Sequence, residues 1–228
     1  MNREFNKIYL TIVVFHLLAN LFAWTLLVAM TKPLILLALI FHFNSSTRNQ
    51  KSSFRKFIFF GLFFSLAGDI ALLFVAQQEI FFLIGLGLFL FAHTSYILAF
   101  IVENNSEKKS YLSLKKLFVS LPYLLIAITS LYFLHDRLGE FQLPVLIYMG
   151  VITLMGIFTA WRHTLVPKQS FLWILCGALS FILSDLILAI NRFHTIIPQA
   201  GFFIMMTYSL AQYLIVEGSL IAMRAGLK

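Results

Sequence analysis

Charge is what this sequence has least of. Asp, Glu, Lys and Arg make up 11% of its 228 residues, against about a quarter in a soluble domain. Cysteine is reduced to Cys176, which lies in an apolar run and excludes an internal disulfide. No His-x-x-x-His or Cys-x-x-Cys pair and no Gly-x-Ser-x-Gly elbow occurs, so metal, thiol and triad chemistry have no signature, and no metal or cofactor is expected. Gly85–Gly87 lacks the strand and helix context of a nucleotide loop and reads as close helix packing. The net charge of +8 would suggest nucleic acid in a soluble protein. Here the cations sit in short loops between apolar runs with no nucleic-acid-reading motif beside them, so nucleic acid is excluded as a partner.

What is abundant is apolar surface: 61% of the residues, 26 of them Phe, with a mean hydropathy of +0.92. That surplus exceeds what one core can absorb, so the solvent is a lipid bilayer. A span needs roughly 17–25 mostly apolar residues. The sequence reads as one all-α transmembrane domain, an eight-helix bundle with spans at 8–30, 33–43, 57–75, 80–102, 114–134, 141–161, 171–190 and 199–223. The first stretch, behind Arg3 and Lys7, is too long for a signal-peptide core of roughly 7–15 residues and is expected to remain as a span. The second is short, and Lys32 and Pro33 are expected to start it, since proline suits a first helical turn.

Loop charges test the count. With eight spans and a cytoplasmic N-terminus, 14 of the 17 Lys and Arg residues fall inside and only Lys32, Arg137 and Arg192 outside, as the positive-inside rule demands. Dropping the second span would put the cluster from Arg48 to Lys56 on the wrong side. Both termini are therefore expected in the cytoplasm, with a bacterial inner membrane as the location. An internal echo accompanies this layout. Gly61, Asp69 and Leu72 recur as Gly177, Asp185 and Leu188, and Gly85 as Gly201, all at an offset of 116. A parallel four-plus-four repeat would produce that spacing.

Ionised Asp at mid-bilayer costs roughly 2.5–3.5 kcal/mol on the insertion scale, so intramembrane acids usually face the bundle interior and mark a site or proton path. Asp69 and Asp185 come at similar depth, about 10 Å and 9 Å from the outer ends of their spans at 1.5 Å per residue. Lys32, Asn191 and Arg192 lie at that same outer edge. His93, with Tyr96 at i+3 on the same side of its helix, comes somewhat deeper, level with Gln212. A structural role competes for each residue. The aspartates could be paired with Lys32 or capped by Ser65 and Ser184. His16, His42 and His93 could be packing residues. For Glu217 an ion pair with Arg224 is the favoured expectation.

At these residues the chain resembles the YhhN-like family, the bacterial relatives of the transmembrane protein 86 lysoplasmalogenases. The matching pieces are Lys32-Pro33-Leu34, FSLAGDIALL (64–73), GLFLFAHTSYILAF (87–100), GALSFILSDLILAINRF (177–193) and YSLAQYLIV (208–216). The resemblance implies a membrane hydrolase of the vinyl-ether bond of lysoplasmalogen-like lysophospholipids, giving a fatty aldehyde and a glycerophospho-headgroup. That chemistry needs one protonated acid, one base for water and negative charge near an oxocarbenium ion. Two carboxyls sharing a low-dielectric site can supply all three. The expected acid/base pair is Asp69 and Asp185 with interchangeable roles. His93 and Tyr96 are expected to orient water or a carboxyl, and Lys32, Arg192 and Asn191 to face the lipid phosphate. A small proton-coupled transporter, an intramembrane aspartyl protease and a lipid-binding scaffold remain alternatives that the residues alone allow.

Overall fold

The computed structural model describes residues 3–104 and 114–226. Lys108, Lys109 and Lys228, counted above among the inner cations, lie outside the described residues. Among these described residues eight α-helices follow in order: α1 (Arg3–Leu21), α2 (Thr25–Ser46), α3 (Ser53–Leu72), α4 (Ile80–Asn104), α5 (Leu114–Leu134), α6 (Gln142–Ala160), α7 (Lys168–Phe193) and α8 (Ala200–Arg224). Two 3-10 turns, His135–Arg137 and Gly139–Phe141, join α5 to α6, and no strand occurs among the described residues. Among the described residues six helices, α2 and α4 through α8, are long and apolar enough to cross a membrane. The chain is a multi-pass membrane protein.

The first two expected spans are corrected. The apolar run 8–30 is not one helix: α1 stops at Leu21 and α2 begins at Thr25, so Lys32 and Pro33 lie within α2 rather than at its start. The chain turns through Phe22, Ala23 and Trp24, with Ala23 at φ +54. That left-handed conformation closes many helices and usually takes Gly or Asn. Here the three turn residues are all apolar, so hydropathy runs across the break unmarked. The supposedly short second span is a full helix of 22 residues.

The most extensive helix contacts join α3 to α4 and α7 to α8. Glycines admit both. A side chain at Gly61 would overlap the Tyr96 ring, and Gly177 brings α7 against the Ala211 carbonyl, 3.0 Å from where a Cβ would stand. Small residues let helices approach in this way where lipid supplies no hydrophobic drive. In contrast, α5 packs chiefly on α6 and leaves most of its surface exposed.

Polar ties close the bundle at both ends. At the end carrying both termini, Arg162 is fully buried. Its Nε donates to Glu103 Oε2 at 2.6 Å and its Nη2 to Glu103 Oε1 and Ser170 Oγ, both at 3.1 Å. Ser170 in turn donates to the Gly218 carbonyl at 2.8 Å, so α4, α7 and α8 meet at one guanidinium. The expected pairing of Glu217 with Arg224 is also corrected. Glu217 is buried and faces His42 of α2, with Nε2 to Oε1 at 2.9 Å, while the His42 ring stacks on Phe5 of α1 at 3.7 Å. The i+7 spacing could not reveal a partner on another helix. At the opposite end, Arg192 of α7 meets Glu79 beside α4, and Arg137 donates to the His194 carbonyl at 2.9 Å.

Breaking a buried pair by removing one partner strands the other charge. Glu103→Ala is expected to destabilise the protein by about 3–5 kcal/mol. Glu4→Ala, at an exposed pair with Lys7, should cost about 0–1 kcal/mol. Thermal unfolding in detergent measures both.

Candidate functional site

The two aspartates that stand in the apolar runs of α3 and α7 line one cavity of about 520 Å³, at the end of the bundle opposite the termini. Six helices enclose it. α1 contributes His16 and Asn20, the α1–α2 turn Ala23, α2 Lys32, α4 Phe82 and Phe89, and α8 Gly201 and Tyr208, beside the aspartates of α3 and α7. Each carboxyl has its own set of neighbours, all drawn from other helices. Asp69 is almost fully buried; Lys32 Nζ stands 3.5 Å from its Oδ1, and the Tyr208 hydroxyl donates to its Oδ2 at 2.8 Å. Asp185 is the more open, its side chain 17% exposed against 2% for Asp69. The Tyr148 hydroxyl of α6 donates to Asp185 Oδ2 at 2.5 Å. His93 Nε2 lies 2.9 Å from that phenolic oxygen and 3.5 Å from the carboxylate. Because the Tyr148 proton points at Asp185, His93 Nε2–H is the donor to Tyr148.

Of the expected site residues, Lys32, Asp69, Asp185, Asn191 and Arg192 line this cavity. Their roles differ in detail. Asn191 Oδ1 accepts from the Ile197 amide at 2.9 Å and so shapes the loop before α8. Arg192 is paired with Glu79 and lies over the Phe82 ring, 5.0 Å from its centroid. His93 is fully buried, does not line the cavity, and meets Asp185 beside Tyr148. Tyr96 is not in the cavity wall: its hydroxyl donates to Gln212 Oε1 at 2.7 Å, and Gln212 Nε2 donates to Ser65 Oγ at 2.9 Å. Ser184 donates to the Ile204 carbonyl at 3.0 Å. The two serines expected to cap the carboxyls therefore serve other partners, and phenols take that place.

Sequence reading missed Tyr208, His16 and Asn20 as cavity groups and Tyr148 as the phenol on Asp185. Tyr208 opens the YSLAQYLIV segment and could have been noticed there. Tyr148 stands alone in an apolar run and carries no local signal. His16 and Asn20 form a relay at the α1–α2 turn. Asn20 donates to His16 Nε2 at 3.0 Å, His16 Nδ1 lies 2.8 Å from Thr31 Oγ1, and Thr31 donates to the Leu27 carbonyl at 2.6 Å. The direction of that chain fixes the proton of His16 on Nδ1.

A second concavity adjoins the first. It is an almost wholly apolar groove between α5 and the facing sides of α6 and α7, and its wall includes Ile126, Met149, Ile152 and Leu186. Leu72, Phe82, Phe89, Leu188 and Asp185 line both spaces. Asp185 is the one charged residue in the shared wall. No group of His, Cys, Asp and Glu among the described residues is arranged to hold a metal ion.

Residues 24–219 match the model of the YhhN family. The chain is also similar to two curated proteins named lysoplasmalogenase TMEM86A. It is 31% identical to the Bos taurus protein over 170 residues and 31% identical to the Homo sapiens protein over 169. Each match covers 69% of this chain, and the chain spans 62% of the length of these relatives. No solved structure matches.

A buried acceptor left without its donor loses about 1–3 kcal/mol. Tyr208→Phe, which strips Asp69 of a phenol, is therefore expected to lower stability by about that amount in detergent melts. Tyr132→Phe, at a 72% exposed residue, should leave the transition unmoved.

Proposed function

This chain belongs to the YhhN family, and from that membership and the form of its cavity we propose that it hydrolyses the vinyl-ether bond of lysoplasmalogen-like lysophospholipids. The observation that carries the reading is the pair of carboxyls from separate helices in one cavity, one of them shared with an apolar groove. A single-chain lipid has the same division: a polar phosphodiester, a reactive ether at the junction, and a hydrocarbon tail.

The neighbours of the two carboxyls divide the roles. Asp69, with the Lys32 ammonium at 3.5 Å, is the carboxylate. Asp185, surrounded by a phenol and an imidazole and open to the groove, is the acid. Asp185 gives its proton to the β-carbon of the vinyl ether, leaving an oxocarbenium ion that the Asp69 charge stabilises. Asp69 takes a proton from water as the water oxygen bonds to the cationic carbon. The resulting hemiacetal collapses: its hydroxyl proton returns to Asp185, and the departing glycerol oxygen takes the proton held by Asp69. Aldehyde and glycerophospho-alcohol leave, and both carboxyls regain their starting states. His93 and Tyr148 orient Asp185, and Tyr208 orients Asp69. Tyr96 stands behind them through Gln212. Lys32 and Arg192 offer positive charge to the phosphate, with Asn191 beside them.

In this reading all eight helices span the bilayer, with the termini in the cytoplasm of a bacterial inner membrane and the cavity towards the outer face. A parallel repeat of four helices and four is supported by one constant offset. Adding 116 to α2, α3 and the Asp69 site gives positions in α6, α7 and the Asp185 site. Lys32 corresponds to Tyr148, and each faces the aspartate of its own half. Tyr96 corresponds to Gln212, and the two are hydrogen-bonded to each other, as equivalent residues meet only near a two-fold axis.

The test is aldehyde release from a defined lysoplasmalogen by purified protein in detergent. Wild type should release aldehyde, and Asp69→Asn and Asp185→Asn should each lose about a hundredfold or more, the scale of general acid–base catalysis. A well-folded Asn variant with full activity would remove the paired-acid mechanism.

A further inference from the structure

The groove beside α5 is closed at both ends by packed side chains. Towards the cavity end of the bundle, Leu134, Leu138 and Val145 form a cluster supported by Phe141, Met149 and Phe193. Towards the middle of the bundle, Tyr123, Ile157 and Ala160 form another, with Leu175 and Ile182 against it. Tyr123 and Leu134, lining residues near the two ends, are 11 residues apart on α5, or about 16 Å at 1.5 Å per residue. That is close to half of a hydrocarbon core of roughly 30 Å, the depth of one lipid leaflet. The flank formed by α5 is open: Ile126 lines the groove and is still 40% exposed.

The inner end is set by one ring on one glycine. Tyr123 is 7% exposed, and a Cβ at Gly156 would lie 2.6 Å from its Cδ1 and 3.0 Å from Ile182 Cδ1. The ring therefore rests directly on the α6 backbone, and any side chain at position 156 would push it outward.

We propose that this groove holds the alkenyl chain of the single-chain lipid, entering sideways past α5, and that Tyr123 seated on Gly156 is the wall that limits chain length. The occupant follows from continuity. The groove opens on Asp185, the charged residue it shares with the polar cavity, so a chain in the groove leads to a headgroup in the cavity. The proposal rests on the lysophospholipid reading of that cavity, and its test separates the two.

Removing the ring by Tyr123→Ala opens the inner end towards the cluster of Ile157, Ala160 and Leu175. Gly156→Ala drives the ring into the groove and shortens it. Tyr123→Phe keeps the wall. The probes are a chain-length series of lysoplasmalogens for turnover, and a matched series of saturated-ether lysophospholipids, which bind without being cleaved, for affinity in nanodiscs. For Tyr123→Ala, the preference for longer chains should rise about fourfold per methylene accommodated, the equivalent of about 0.8 kcal/mol. Gly156→Ala should shift it towards shorter chains, and Tyr123→Phe should match wild type. Melting temperatures confirm that each variant is folded, and a variant that fails leaves the other two to decide. Shifts in saturated-ether binding without vinyl-ether turnover would uphold the groove and overturn the hydrolase. Turnover with the same length profile in all folded variants would overturn the groove and leave the hydrolase standing.

Discussion

A charge held among apolar helices must have its partner on another helix, because its own helix has spent its backbone groups and lipid offers nothing. That constraint organises this molecule. Asp69 of α3 is met by α2 and α8, Asp185 of α7 by α6 and α4, Glu217 of α8 by α2, and Glu103 of α4 by a guanidinium at the end of α6. Each pair names two helices that must be neighbours. Together they determine most of the bundle's arrangement before any apolar contact is considered. The apolar residues, so numerous here, fill space between addresses that a few polar groups have set.

The same constraint explains why the cavity has two unlike sides. A lysine meets one aspartate and a tyrosine the other, at positions that correspond under the proposed repeat. Symmetric halves would give two equivalent carboxyls, poorly suited to the proposed chemistry, which needs an acid and a base together. Lys32 against Tyr148 is one difference between counterparts, and Tyr208 beside Asp69 and His93 beside Asp185 add two more. Neither half is self-sufficient, since the phenol on Asp69 comes from α8 and the imidazole near Asp185 from α4.

Much of this was legible in the sequence, for identifiable reasons. Asp69 and Asp185 stand out because an acid in an apolar run is costly, and their matched depth follows from counting residues. Lys32 could be brought to the same level in the same way. The α1–α2 turn was not legible, because Ala23 adopts a left-handed conformation between apolar residues and leaves no polar mark. The partners of Glu217 and Asp185 were hidden for another reason. His42 lies 175 positions before Glu217 and Tyr148 37 before Asp185, and helical periodicity reports only neighbours three or four apart. Tyrosine hides well in such a sequence, since its ring reads as one more apolar residue until its hydroxyl has somewhere to point.

The distance along the chain between Asp69 and Tyr208, 139 residues, also has a meaning in time. A ribosome makes α3 long before α8, so the newborn Asp69 enters its surroundings with Lys32 as its one available companion. Until α8 emerges the first helices hold an incompletely satisfied acid, and α8 supplies the missing donor. Helix α8 is thus a keystone: it closes the α1, α2 and α3 side of the bundle and completes the carboxyl's coordination in one event. Assembly is ordered: the wall of the cavity is complete only once α8 has been delivered.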